Sequence, residues 1–204
     1  HGAKTEAFKK AGLNVEIVPF QSAKDRDAAF KSGDLDAVTA DLSALFNYVN
    51  QGIEVKASAG TESFFSLIQS PKASKNNVDL TKVEGKVGMS EKTVIEFYLD
   101  YLTKEKGYKF KKVAIPAIPD RFAALMANNL DSSLMPDPFP TMAKGKGSKV
   151  VWDSNEEGTP KIGAVLWKQS FIDANKGAVE RFVKTTNEVI AQINKDGRDS
   201  YKGT

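Results

Sequence analysis

Two stretches of this chain, 95 positions apart, spell nearly the same twelve residues. The first is "DRDAAFKSGDLD" (Asp25 to Asp36) and the second "DRFAALMANNLD" (Asp120 to Asp131), with Asp-Arg, Ala-Ala and Leu-Asp at identical spacing. Each reads as a helix running into residues that tolerate a left-handed cap, Ser32-Gly33 or Asn128-Asn129. A Leu-Asp then opens a buried strand. The Ala-Ala pair falls mid-helix, where small side chains allow close approach to a sheet. A helix–strand unit built twice constrains the chain to two similar α/β halves.

The rest of the sequence keeps that rhythm. After an opening helix stopped by Gly12, "NVEIVPF" alternates like a strand. Next come the first repeat helix, the strand "LDAVTA", the helix "LSALFNYVNQ" with Leu42, Leu45, Phe46 and Val49 on one face, and the strand "IEVKASA". The middle predicts strand "GKVGMS", helix "TVIEFYLDYLTKEKG" with Val94, Phe97, Tyr98, Tyr101 and Leu102 inward, strand "KKVAIPA", the second repeat, a helical turn "DPFPTMAKG" and strand "SKVVWD". A long helix from about Ala174 to Asn194 closes the chain, with Val179, Phe182, Val183, Val189, Ile190 and Ile193 as its buried stripe. Alternating strands and helices imply mainly parallel sheets with covering helices. Two extended segments, "TESFFSLIQSPKASKNN" and "GAVLWKQSF", join the halves. The expectation is therefore a discontinuous lobe of residues 1–68 and 166–204 and a continuous lobe of residues 69–165, hinged over a cleft.

Composition removes several function classes. The chain has no cysteine, and its one histidine is His1, read as a terminal residue and not as a ligand. Disulfides, thiolate metal sites, zinc sites and histidine-based triads are not expected, nor is any cofactor or metal. A net charge of +3 from 29 basic and 26 acidic residues offers no nucleic-acid surface. The runs "KGYKFKK" and "KGKGSK" read as solvated surface. No apolar stretch approaches the ~18 residues of a membrane span.

Open α/β sheets bind ligands outside the carboxyl ends of their strands. An acidic residue recurs at that place in both copies: Asp41 in "TADLSA" and Asp137 in "MPDPF". Each is open to two readings, a helix N-cap or a ligand contact. Ser90 and Thr93, at the start of the helix after "KVGM", have the same two readings, since exposed N–H groups there suit an anion. The repeated residues themselves read as scaffold.

The runs "SGDLDAVTADLSALFNYVNQG", "GKVGMSEKTVIEFYLDYL" and "IPDRFAALMANNLDSSLMPDPF" together resemble the nitrate/sulfonate/taurine-type solute-binding proteins of ABC importers, which have the type II periplasmic-binding fold. The resemblance extends in order from "FKKAGLNVEIVPF" to "SFIDANKGAVERFVKTTNEVI". It implies two α/β lobes joined by two crossing strands, with the family's first strand, ahead of "AKTEAFKKAGL", missing from the sequence. It also implies ligand contacts from Gln21 and Ser22, Ala40 and Asp41, Gly60 and Thr61, Ser90 to Thr93, and Asp137 to Phe139. The stretch "SEKT" departs from anion-binding relatives, because Glu91 would oppose an anion if it faced the cleft. Asp41 and Asp137 would suit amino groups, and Phe139 or Phe20 would stack on a ring. Phe64, Phe65, Trp152 and Trp167 read as core or hinge packing.

The function implied is non-enzymatic: an extracytoplasmic monomer, periplasmic or lipid-anchored, that hands a small solute to an ABC permease. The alternatives are an enzyme of the menaquinone-pathway kind on the same fold and the effector-sensing domain of a regulator. The pyrimidine-precursor synthases that share the fold carry a cysteine-rich iron motif, and this chain has no cysteine.

Overall fold

In a computed structural model of the chain, residues 6–159 and 162–197 are described. His1 lies outside them. The elements run α1 (Ala7–Lys10), α2 (Ala23–Ser32), β1 (Ala37–Asp41), α3 (Leu42–Asn50), β2 (Val55–Thr61), β3 (Phe65–Gln69), α4 (Pro71–Lys75), β4 (Gly85–Met89), α5 (Val94–Lys106), β5 (Phe110–Ala114), α6 (Ile118–Met126), β6 (Ser132–Pro136), α7 (Phe139–Lys144), β7 (Val150–Asp153), β8 (Gly163–Lys168), α8 (Gln169–Ala174) and α9 (Ala178–Asp196).

The strands form two sheets, in the orders β1-β8-β2 and β5-β4-β6-β3-β7. In the first, β8 lies antiparallel between β1 and β2, with Leu166 facing Val38 on one side and Ala57 on the other. In the second, β4 runs parallel to β5 and β6, and β3 runs antiparallel between β6 and β7. Within each sheet a single strand opposes the rest. These are β3 and β8, the strands that receive the chain as it crosses from one sheet to the other. A crossing strand enters its sheet from the side where the others end, so its direction is reversed. The carboxyl ends of the remaining strands therefore share one side of each sheet.

Local chemistry explains the helix boundaries. Ser22 caps α2 by accepting the Asp25 N–H at 3.1 Å, and Gly33, at φ 102°, ends it. Asn128, at φ 59°, takes the left-handed place just past α6 in the second copy of the repeat. The two copies are thus α2–β1 and α6–β6. They pack differently from the expectation, because Ala28 and Ala123 face solvent. The helices meet their sheets through Phe30 and Leu125, one place after the Ala pairs and both 0% exposed.

Three clusters make the core. Phe30, Val38, Ala44, Tyr48 and Leu166 fill the first sheet's interior. Leu67, Val87, Met89, Tyr98, Leu99, Leu102, Leu134 and Trp152 fill one side of the second sheet, and Ile68, Leu125, Leu130 and Met135 the other. Each of the Leu, Ile, Val, Phe and Met side chains among them, removed from water, stabilises the fold by about 1.5–3 kcal/mol. Phe65 and Trp152 belong to this packing, as the sequence suggests.

Several expectations need correction. "NVEIVPF" is not a strand, since among the described residues none lies beside it to form a ladder, and Ile17 is 68% exposed. On α3 the buried stripe is Ala44–Tyr48, leaving Phe46 and Val49 exposed. On α5 it is Ile95–Leu99–Leu102 with Val94 and Tyr98, and Phe97 faces out. On α9 the apolar stripe is half-buried and Ile190 is exposed. A period of 3.6 fixes which residues share a face, but the centre of the buried arc depends on the neighbouring element. The polar "SPKASK" is the short helix α4, started by the Ser70 cap on the Ala73 N–H. The chain after Lys168 turns into α8 and does not stay extended.

Candidate functional site

A cleft of about 1020 Å³ opens between the two sheets. Its wall includes the residues at or just past five strand ends: Asp41 after β1, Glu62 after β2, Ser90 after β4, Pro116 after β5 and Asp137 after β6. The crossing residues Glu62 to Phe64 form its floor together with Phe65, the first residue of β3. Among the described residues two hydrogen bonds join its two sides, one at the wall and one beside it. The Ile118 N–H donates to the Gln21 carbonyl at 3.1 Å, and Asn47 Nδ2 donates to the Lys92 carbonyl at 3.2 Å. Each joins an element of the first sheet's layer to one of the second's.

Of the residues singled out in the sequence, Gln21, Ser22, Ala40, Asp41, Ser90, Thr93 and Asp137 line this cleft. Phe20 and Phe64 line it too, as does Trp167, whose indole N–H donates to Ser58 Oγ at 2.8 Å. Gly60, Thr61 and Phe139 lie off the wall. Gly60 and Thr61 pair with Ala164 and Gly163 within the first sheet, and Phe139 packs against Phe122 at 5.3 Å.

The two readings of each polar residue separate here. Asp41 caps α3, accepting the Ala44 N–H at 3.2 Å and the Ser43 hydroxyl. Thr93 caps α5, accepting the Ile95 N–H at 3.2 Å and donating its hydroxyl to the Ser90 carbonyl at 2.8 Å. Asp137 is not spent on capping, because α7 starts from Pro138 without a side-chain cap. Glu91 is exposed and is not part of the wall, which removes its repulsion of an anion.

Two residues on the wall had read as scaffold: Arg26 and Arg121, the same position in the two repeats. Arg26 is paired with Asp27 at 2.7 Å and reaches the Thr39 carbonyl. Tyr48 donates to the same Asp27 at 2.6 Å, and burial, with Asp27 beside it, pushes the phenol pKa well up. Arg121 is 1% exposed and is held by the carbonyls of Ile115 at 2.7 Å and Pro116 at 3.1 Å. Desolvation pulls its pKa down to about 10. The signal for both was the identical Asp-Arg pair in the first turns of α2 and α6, directly beside the carboxyl ends of the strands.

The architecture matches solved structures. The alkanesulfonate-binding protein SsuA from Xanthomonas axonopodis pv. citri, bound to MOPS, superposes with a TM-score of 0.80 at 12% identity over 96% of this chain and 70% of its own. The ligand-binding component of an ABC-type import system from Staphylococcus aureus, with zinc bound, gives 0.72 at 17% identity over 90% and 68%. An ancestral arginine-binding protein bound to arginine gives 0.62 at 19% identity over 95% and 81%. The chain spans 62% to 70% of the length of the sulfonate-binding and import-system structures. The shared architecture is the type II periplasmic-binding fold. None of the curated proteins matches the sequence significantly. A family profile described as NMT1/THI5 like matches residues 4–196, and the chain belongs to that family.

Proposed function

We propose that the chain is the solute-capturing part of an extracytoplasmic binding protein, which closes on a small molecule and delivers it to the permease of an ABC importer. The observation that carries this reading is the convergence of five strand ends on one cleft whose two sides are joined by hydrogen bonds at Gln21–Ile118 and Asn47–Lys92. Such a cleft holds a solute through loops from both sides, and closure requires only that the solute bind the closed form better. The structural neighbours, an alkanesulfonate-binding protein, a ligand-binding component of an import system and an arginine-binding protein, support the same role.

The lobes are those expected from the sequence, residues 1–68 with 166–204 and residues 69–165, except that their edges follow the sheets: all of β3 goes with the second lobe and all of β8 with the first. The hinge lies where the chain crosses between the sheets, at Glu62 to Phe64 on the way out and ahead of β8 on the way back, so that β3 moves with the second lobe. Contacts to the solute come from Gln21, Ser22, Ala40, Asp41, Ser90, Thr93 and Asp137, with Gly60, Thr61 and Phe139 supporting the loops behind them. Phe20 and Phe64 offer faces for an apolar or ring portion. The protein acts as a monomer, free or lipid-anchored outside the cytoplasm, and turns nothing over.

A thermal-shift screen of sulfonates, nitrate, thiamine precursors and amino acids, followed by small-angle scattering, tests the reading. A solute at a hundred times its Kd adds about 2.7 kcal/mol, or several degrees of Tm, and reduces the radius of gyration. Multiple turnovers of any bound solute, or binding without compaction, would refute it.

A further inference from the structure

The guanidinium of Arg121 is only partly used. Its Nη1 donates to the Ile115 and Pro116 carbonyls, whereas Nε is buried with no partner and Nη2 makes no hydrogen bond among the described residues. No carboxylate among the described residues forms an ion pair with it, and desolvation is the one influence on its pKa. Nε and Nη2 lie on the same edge of the planar group, the edge that meets an oxyanion side-on with two parallel hydrogen bonds.

The position of that edge is set by the strands. Ile115 donates its N–H to the Met89 carbonyl at 2.9 Å, which puts the carbonyls that hold Arg121 one residue from Ser90. The arginine stem lies against β4 at Gly88, where a Cβ would sit 3.4 Å from Arg121 Cδ, an ordinary contact, although it would meet Leu130 Cδ1 at 2.5 Å. Arg121, Ser90 and Thr93, which starts the 13-residue helix α5, all line the cleft. A buried cation without a counter-charge is costly, and an anion brought by a ligand relieves that cost.

Resting on the reading of the cleft as a solute site, we propose that the Nε–Nη2 edge of Arg121 seats a carboxylate, sulfonate or phosphate group of the solute, at the carboxyl ends of β4 and β5. Asp137, uncommitted on the same wall, then favours a solute that also carries an amino group. The repeat explains the division of labour. Arg26 has its own carboxylate in Asp27, so of the two equivalent arginines Arg121 is the one with a charge to offer.

The test follows the arginine Nε–H resonance of the ¹⁵N-labelled chain, assigned by its loss in Arg121→Lys. Methanesulfonate, acetate, taurine and inorganic phosphate are titrated, with dimethyl sulfone as the neutral isostere of methanesulfonate. The expected result is a saturable shift with at least one oxyanion and none with the sulfone. Arg121→Met, which keeps the stem on Gly88, then weakens that oxyanion by about ten- to a hundredfold. If no oxyanion moves the resonance, the proposal is overturned on the wild-type chain alone, whatever the variants do. If neutral or cationic solutes of the wider screen still move the Gln21 and Ser90 amides, the solute-binding reading survives that failure. If nothing moves them, both fall.

Discussion

The bond from Asn47 Nδ2 to the Lys92 carbonyl offers a sharp test of closure, because among the described residues that side chain makes no other hydrogen bond. It is 3.2 Å long, lies in an exposed setting, and joins α3 to the loop ahead of α5. A neutral hydrogen bond contributes a net 0.5–1.5 kcal/mol, and exposure places this one at about 0.5–1 kcal/mol. Asn47→Ala removes that amount from the closed form alone, lowering the closed-to-open ratio about two- to fivefold. Apparent affinity weakens by up to the same factor, since the solute must then supply the lost energy. Global stability stays nearly constant, because alanine is the better helix former in α3 by several tenths of a kcal/mol. Calorimetric titration with the solute found in the screen, paired with scattering of the unliganded chain, reads both quantities. Unchanged affinity and an unchanged radius of gyration would refute the latch. A loss of affinity matched by an equal fall in Tm would show instead that Asn47 supports a lobe and not its closure.

Three further substitutions probe the frame behind the cleft. Leu99→Ala, at a position 0% exposed between α5 and the second sheet, is expected to cost about 2.7–5 kcal/mol, read by urea denaturation. Gly163→Ala puts a Cβ into Thr61 Oγ1 and within 2.9 Å of the Thr61 carbonyl oxygen, where β8 enters its sheet. Backbone must shift to admit it, so a loss of about 1–3 kcal/mol is expected, and a Tm equal to wild type would contradict the packing. Tyr48 gives a pH signature. Its folded pKa is raised above the unfolded value near 10, so its contribution is complete below about pH 10 and is lost as the pH climbs toward the folded value. Tyr48→Phe should flatten the alkaline decline of stability, and an unaltered decline would mean that the phenol is not what titrates.

The sequence determined by itself what depends on local period and local chemistry. The alternation of strands and helices, the stop at Gly33, the cap at Thr93 and the repeated helix–strand unit all follow from side chains within a few residues of one another. Three of the five strand ends that line the cleft, at Asp41, Ser90 and Asp137, could be named from the alternation and the resemblance, whereas Glu62 and Pro116 were not, and Gly60 and Thr61 fell just short of the wall. Only the tertiary structure decided where the buried arc of each helix lies, as Phe46, Phe97 and Ile190 show by facing solvent. It also decided which polar groups are already satisfied. Asp41 and Asp137 look alike as letters, yet one caps a helix and the other does not. Arg26 and Arg121 occupy the same place in a repeat, yet among the described residues only Arg26 is paired with a carboxylate. Partnership between side chains is a property of space, and a repeat that preserves residue types leaves the partners of each copy to be set by everything packed around it.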